Sequence, residues 1–145
     1  MISLEVAEHI TEQHSERFIE FITSHCDQAL FSAAIPNQTG NGHVNEQWPT
    51  FWAKLFKKYG FIMLDTIRKQ IWGNTRIPFW YRQNCFLVKR SGLDIQYSDE
   101  VCPASNLVHP EQFHLIYEII KNMERNSLKA RIINKFRRIF HLNSK

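Results

Sequence analysis

The chain has little cysteine, and what it has is scattered. Cys26, Cys85 and Cys102 are odd in number and far apart, which argues against a disulfide framework. No CxxC pair suggests zinc. No apolar run approaches the roughly 18 residues that mark a membrane-spanning helix. The opening MISLEVAEHITEQH carries acids where a secretory leader carries a basic region and an apolar core. A reduced, cytoplasmic compartment is the expectation. Internal repeats and low-complexity segments are also missing.

What is present is globular. The 145 residues are 43% hydrophobic and 22% charged, a balance that supports one small domain and excludes a mostly disordered chain. The net charge of +4 is local in origin. Of 18 basic residues, six (Lys129, Arg131, Lys135, Arg137, Arg138 and Lys145) lie in the acid-free segment Asn126–Lys145. The remaining 12 face 14 acids, a net of −2 for the rest of the chain. The basic character belongs to the tail, so specific nucleic-acid binding by the whole domain loses its main support.

Hydrophobic patterning gives the element order. Ile2–Val6 reads as a buried strand. Glu12–Ser24 reads as a helix with Phe18, Ile19 and Ile22 on one face. Ala29–Ile35 is a continuous apolar run stopped by Pro36, suited to a strand buried on both faces. A polar loop follows at Asn37–Gly42. Pro49–Tyr59 reads as a helix with proline at its first position and Gly60 at its cap. Phe61–Asp65 and Tyr81–Val88 read as strands, and Ser91–Pro103 as irregular. Pro110–Arg125 and Leu128–Leu142 read as amphipathic helices. Strand–helix alternation predicts an α/β sheet with parallel strands at its centre. A last strand with no helix before it can insert antiparallel.

Two stretches carry a family resemblance: SLEVAEHI at Ser3–Ile10, and LFSAAIPNQTGNGHVNEQWPTFWAKLFKKYGF, which contains a specific HVNEQW run. Together they resemble class I S-adenosylmethionine-dependent methyltransferases of the bacterial sugar- and polysaccharide-associated type. The likeness covers residues 2 to about 90 and, more loosely, LVHPE at Leu107–Glu111. It implies the C-terminal half of a Rossmann-like sheet, strands four to seven, followed by helices. It also implies a partial methyltransferase domain at 1–106 and a helical extension with a basic amphipathic tail at 107–145. The glycine-rich turn that binds the cofactor has no counterpart. The five glycines lie at 40, 42, 60, 73 and 92, all downstream of EVAEH. S-adenosylmethionine is thus expected only with an N-terminal half, and the first strand is expected to be an open edge prone to self-association.

Chemistry-bearing residues fall in two groups. Glu5, Glu8 and His9 sit at the end of the first strand, where ligands bind in open α/β sheets. The E-x-x-E-H pattern resembles the metal-binding segment of small-RNA 2′-O-methyltransferases and ubiquinone-pathway O-methyltransferases, with His43 in a comparable loop as a fourth ligand. Oxygen-rich ligation with an imidazole suits Mg²⁺ or Mn²⁺. The alternative is that Glu8 flanks a helix and His9 packs beneath the loop. His43, Asn45, Glu46 and Trp48 form the second group, on a loop that by resemblance covers the acceptor. His43 is a candidate general base, since an imidazole titrates near neutrality. Asn45, Glu46 and Trp48 are candidate substrate-binding residues. The alternative is that Asn45 satisfies loop backbone and Trp48 staples the next helix. Tyr81, Arg82 and Gln83 are further candidates for the acceptor side.

The resemblance implies O-methyl transfer to a small or sugar-linked acceptor, with the chain inactive alone. The competing expectation is a non-catalytic remnant or partner-binding module. The basic tail suits an anionic membrane surface, or is an ordinary docked helix with solvated cations.

Overall fold

The computed structural model describes residues 1–92 and 104–139, so the irregular stretch expected at 91–103 and the end of the last helix lie largely outside the described residues. The protein is a mixed α/β fold with a four-stranded sheet. Contacts divide it into two units, Met1–His109 and Pro110–Lys145.

The first unit runs β1 (Ile2–Leu4), a short 3-10 turn (Ala7–His9), α1 (Glu12–His25), β2 (Gln28–Ser32) and α2 (Pro49–Lys58). It continues with β3 (Phe61–Leu64), α3 (Thr66–Ile71), α4 (Phe79–Asn84) and β4 (Phe86–Arg90). The spatial order is β1-β2-β4-β3. β1 pairs parallel to β2, with Ile2 opposite Leu30, while β4 runs antiparallel to both its neighbours, with Phe31 opposite Phe86 and Met63 opposite Val88.

Three expectations are corrected here. The sheet's centre is antiparallel rather than parallel, because the last strand inserts between β2 and β3. That strand is also preceded directly by helices. Residues 81–84, read as the start of a strand, belong to α4, and only Phe86–Arg90 is extended. β1 ends at Leu4 rather than Val6, because Glu5 turns into the left-handed region at φ 52°.

Alternation along the strands explains the core. Ala29, Phe31, Phe61, Met63, Phe86 and Val88 point to one face and pack in a single apolar cluster with Ile19 and Ile22 of α1 and Trp52 and Phe56 of α2. Phe31 sits at its centre, with ring centroids 5.6 Å from Trp52 and 5.2 Å from Phe56. Gly60, at φ 74°, takes the left-handed position that ends α2 and turns the chain directly into β3. On the opposite face the register aligns Ile2, Leu30 and Leu87. Ile2 is 72% exposed, and Leu30, Ile62 and Leu87 are only half-buried, so β2 is not buried on both faces as its apolar run suggested.

The second unit holds α5 (Pro110–Asn126) and α6 (Leu128–Ile139), which contact each other. Ser127 Oγ accepts from Ala130 N at 3.2 Å and caps the start of α6. Among the described residues no helix is long and apolar enough to cross a membrane.

Candidate metal centre

The site forms where β1 stops. Glu5 N donates to both Ser32 O (3.1 Å) and Ser32 Oγ (3.0 Å), which pins the strand end to β2. The left-handed turn at Glu5 then feeds the 3-10 turn. That turn sends Glu8 inward, fully buried, and leaves His9 exposed.

The loop after β2 closes over this turn. Glu8 O accepts from Val44 N (2.9 Å) and Asn45 N (3.0 Å), which fastens loop and turn backbone to backbone. Three of the loop's residues take left-handed φ: Asn37 (66°), Thr39 (61°) and Gly42 (76°). Asn37 and Thr39 both donate their N–H to the Glu46 carboxylate, at 2.7 and 2.9 Å. The loop is thus wound around one carboxylate.

The two imidazoles are held from behind. His9 Nδ1 lies 3.1 Å from Gly42 O, and His43 Nδ1 lies 2.8 Å from Glu46 Oε1. Each acceptor favours a proton on Nδ1 and leaves Nε2 with its lone pair. The rings meet edge to face with centroids 5.0 Å apart. His43 Nε2 points toward Glu8, 4.0 Å from Oε1. Donor atoms of Glu8, His9 and His43 all lie within 4.8 Å of one another.

Glu8 is the unusual member. Its side chain is 0% exposed, yet neither carboxylate oxygen has a hydrogen-bond partner among the described residues. A buried polar group without a partner costs about 1–3 kcal/mol, and more when charged. Such groups are rare in folded proteins and call for an explanation such as an ion. One carboxylate and two imidazoles whose outer nitrogens are already satisfied form a donor set that fits a divalent cation.

Glu5, expected among the ligands, stands apart from this cluster. Its carboxylate accepts from Gln38 Nε2 (3.1 Å) and Asn84 Nδ2 (3.3 Å). Burial, followed by the nearby Glu8 charge, pushes its pKa up to about 7, against hydrogen bonds from Ser32, Asn84 and Gln38 that pull it down. With Glu5 outside, the donor set is richer in nitrogen than expected, which favours Mn²⁺ over Mg²⁺.

Of the second group, only His43 and Glu46 stand at the cluster. Asn45 is buried and tied to α1: its Nδ2 donates to Ser15 Oγ at 2.8 Å, and its Oδ1 accepts from Gln47 Nε2 at 3.1 Å. Trp48 precedes the first residue of α2 and is 36% exposed. Asn37, Thr39, Gly40, His43, Val44, Asn45 and Glu46 line an open depression of about 490 Å³ beside the imidazoles.

Gly40 and Gln38 are contributors that the sequence did not single out. A Cβ at Gly40 would stand 2.2 Å from His43 Nε2, so only glycine lets the loop lie against that ring. Gln38 Oε1 accepts from Gln83 Nε2 (3.1 Å) and Asn84 Nδ2 (2.8 Å), joining α4 to the loop. Gln83 Oε1 in turn accepts from His109 N at 2.6 Å. Of Tyr81, Arg82 and Gln83, read as facing the acceptor, Tyr81 is half-buried and Arg82 and Gln83 are buried, with Gln83 bonded into this scaffold.

Comparison of the chain with family models, with curated proteins and with solved structures finds no match.

Proposed function

We propose that this chain is the metal-holding, acceptor-side half of a class I-like S-adenosylmethionine-dependent O-methyltransferase. The observation that carries the reading is the buried Glu8 carboxylate, without a hydrogen-bond partner among the described residues, facing His43 Nε2 beside His9. A buried charge of this kind is costly in a purely structural part and is what a cation site requires. Glu8, His9 and His43 would hold the ion. A divalent cation bound there would polarise an acceptor hydroxyl and lower its pKa for attack on a methyl group.

The chain's own residues do the rest. The 37–46 loop orients His43 and borders the depression in which an acceptor would lie. Glu5, whose carboxylate accepts from Gln38 and Asn84, ties the strand end to that loop and to α4. Two features support the half-domain part of the reading. No glycine-rich strand–turn–helix occurs in the sequence, and the sheet keeps an edge strand, β1, with an exposed apolar residue, Ile2. The cofactor-binding half would join at that edge.

Isothermal titration with S-adenosylmethionine, in the presence of Mn²⁺, tests this. The folded 145-residue chain is expected to give no heat at sub-millimolar cofactor, and to support methyl transfer to a sugar hydroxyl only when joined to a glycine-rich cofactor half. One-to-one cofactor binding at micromolar affinity by the chain alone would overturn the half-domain reading.

A further inference from the structure

Resting on the metal-site reading, we infer that Glu46 is a positioning residue that sets which nitrogen of His43 is free. This role is distinct from the acceptor binding that its place in HVNEQW suggested.

The carboxylate's bonds assign the role. Glu46 Oε2 accepts from Asn37 N at 2.7 Å, and Oε1 accepts from Thr39 N at 2.9 Å. The same Oε1 lies 2.8 Å from His43 Nδ1. A carboxylate only accepts, so the shared proton belongs to Nδ1. In the neutral imidazole the Nε2 lone pair is then bare, and Nε2 is the atom that faces Glu8 at 4.0 Å.

Geometry closes the alternatives. The ring is confined between Gly40, where even a methyl group would meet Nε2 at 2.2 Å, and the edge of His9. A flipped ring would fill nearly the same volume, but it would set a C–H against Glu46 Oε1 and forfeit the bond to Nδ1. The two backbone bonds to Glu46 lock the carboxylate itself, so loop and tautomer are fixed together. His9 is served differently, by the neutral carbonyl of Gly42 at 3.1 Å. A carboxylate behind a ligating imidazole raises its basicity more than a carbonyl does, so His43 is the stronger nitrogen donor of the pair.

The test uses the full chain labelled with ¹⁵N-histidine. Long-range ¹H–¹⁵N correlation of the metal-free protein near pH 8, with the resonance assigned by His43→Asn, reads the tautomer directly. The proton is expected on Nδ1 of His43 in the wild type. In Glu46→Gln the amide can turn its NH₂ toward the ring, and a mixed or Nε2–H population is expected. Mn²⁺ affinity is expected to fall about 10–100-fold in that variant, the usual effect of losing such a partner. The far-ultraviolet spectrum should be unchanged. A wild-type His43 protonated on Nε2 overturns the inference without need of any variant. So does a Glu46→Gln protein that keeps both the Nδ1–H tautomer and wild-type Mn²⁺ affinity. Failure of the wild type to bind Mn²⁺ while the tautomer behaves as described sinks the metal reading instead, and leaves the clamp standing.

Discussion

Replacing Glu8 by glutamine should make the metal-free protein more stable and the metal-bound protein less so. The carboxylate is fully buried and neither oxygen is hydrogen-bonded among the described residues. Glutamine keeps the shape and removes the charge. The amide NH₂ can donate to the bare Nε2 of His43, 4.0 Å from the carboxylate, and giving an unpartnered buried group a partner is worth about 1–3 kcal/mol. For a unit of this size, about 1 kcal/mol moves the melting temperature by roughly 4–8 °C. Metal-free Glu8→Gln is therefore expected to melt at least about 4 °C above the wild type by differential scanning calorimetry at pH 8 with chelator present. Metal reverses the ranking. An ion that binds only the folded state at about 1,000 times its Kd adds about 4.1 kcal/mol to the wild type, and Glu8→Gln should gain almost none of it. Two results refute the reasoning: a variant that melts lower than the wild type without metal, or one that keeps the wild-type response to Mn²⁺. The first means the carboxylate has a structural partner, the second that it is no ligand.

Glu5 predicts a pH dependence in the metal-free protein. Its pKa is about 7 in the fold against an ordinary 4.5, so between those values the folded state holds a proton that the unfolded chain has lost. Its contribution to stability is complete below about 4.5 and falls away as pH rises through 7, by up to about 3 kcal/mol. Urea melts at pH 5 and pH 8 should show this difference, Glu5→Gln should shrink it, and an equal difference in both proteins contradicts it. Gly40→Ala should lower Mn²⁺ affinity at least about tenfold, since the added methyl displaces His43; calorimetric titration giving an unchanged affinity counts against the loop packing described. Trp52→Ala, in the centre of the core against Phe31, should cost about 3–5 kcal/mol in urea denaturation while leaving the site's donor atoms untouched, and a loss under about 1 kcal/mol would mean the core is not built around that ring.

Some of this was legible in the sequence because it is local. The 3.6-residue spacing of Ile19 and Ile22, and of Trp52 and Phe56, marks α1 and α2. Gly60 marks the end of α2 for a steric reason that needs no tertiary context. α4 escaped notice because six residues, FWYRQN, make too few turns to show a helical period, and aromatic residues favour strands on propensity. Sheet order depends on pairing across long stretches of chain, which no local pattern encodes. The site divides the same way. The E-x-x-E-H spacing brought Glu8 and His9 forward, and His43 followed from the loop that resembles a family motif. Glu5's removal from the cluster could not be read, because the amides that hold it are Gln38 and Asn84, 33 and 79 residues away. Glu46 behaved likewise: its role follows from three bonds that exist only once the loop has closed around it.

The most direct test of the account is a calorimetric titration of the chelator-treated chain with Mn²⁺ at pH 8, run beside Glu8→Gln and His43→Ala. The wild type is expected to bind one ion per chain, and both variants to lose that binding. No heat up to millimolar Mn²⁺ from a folded wild type, or binding that survives both substitutions, would contradict it.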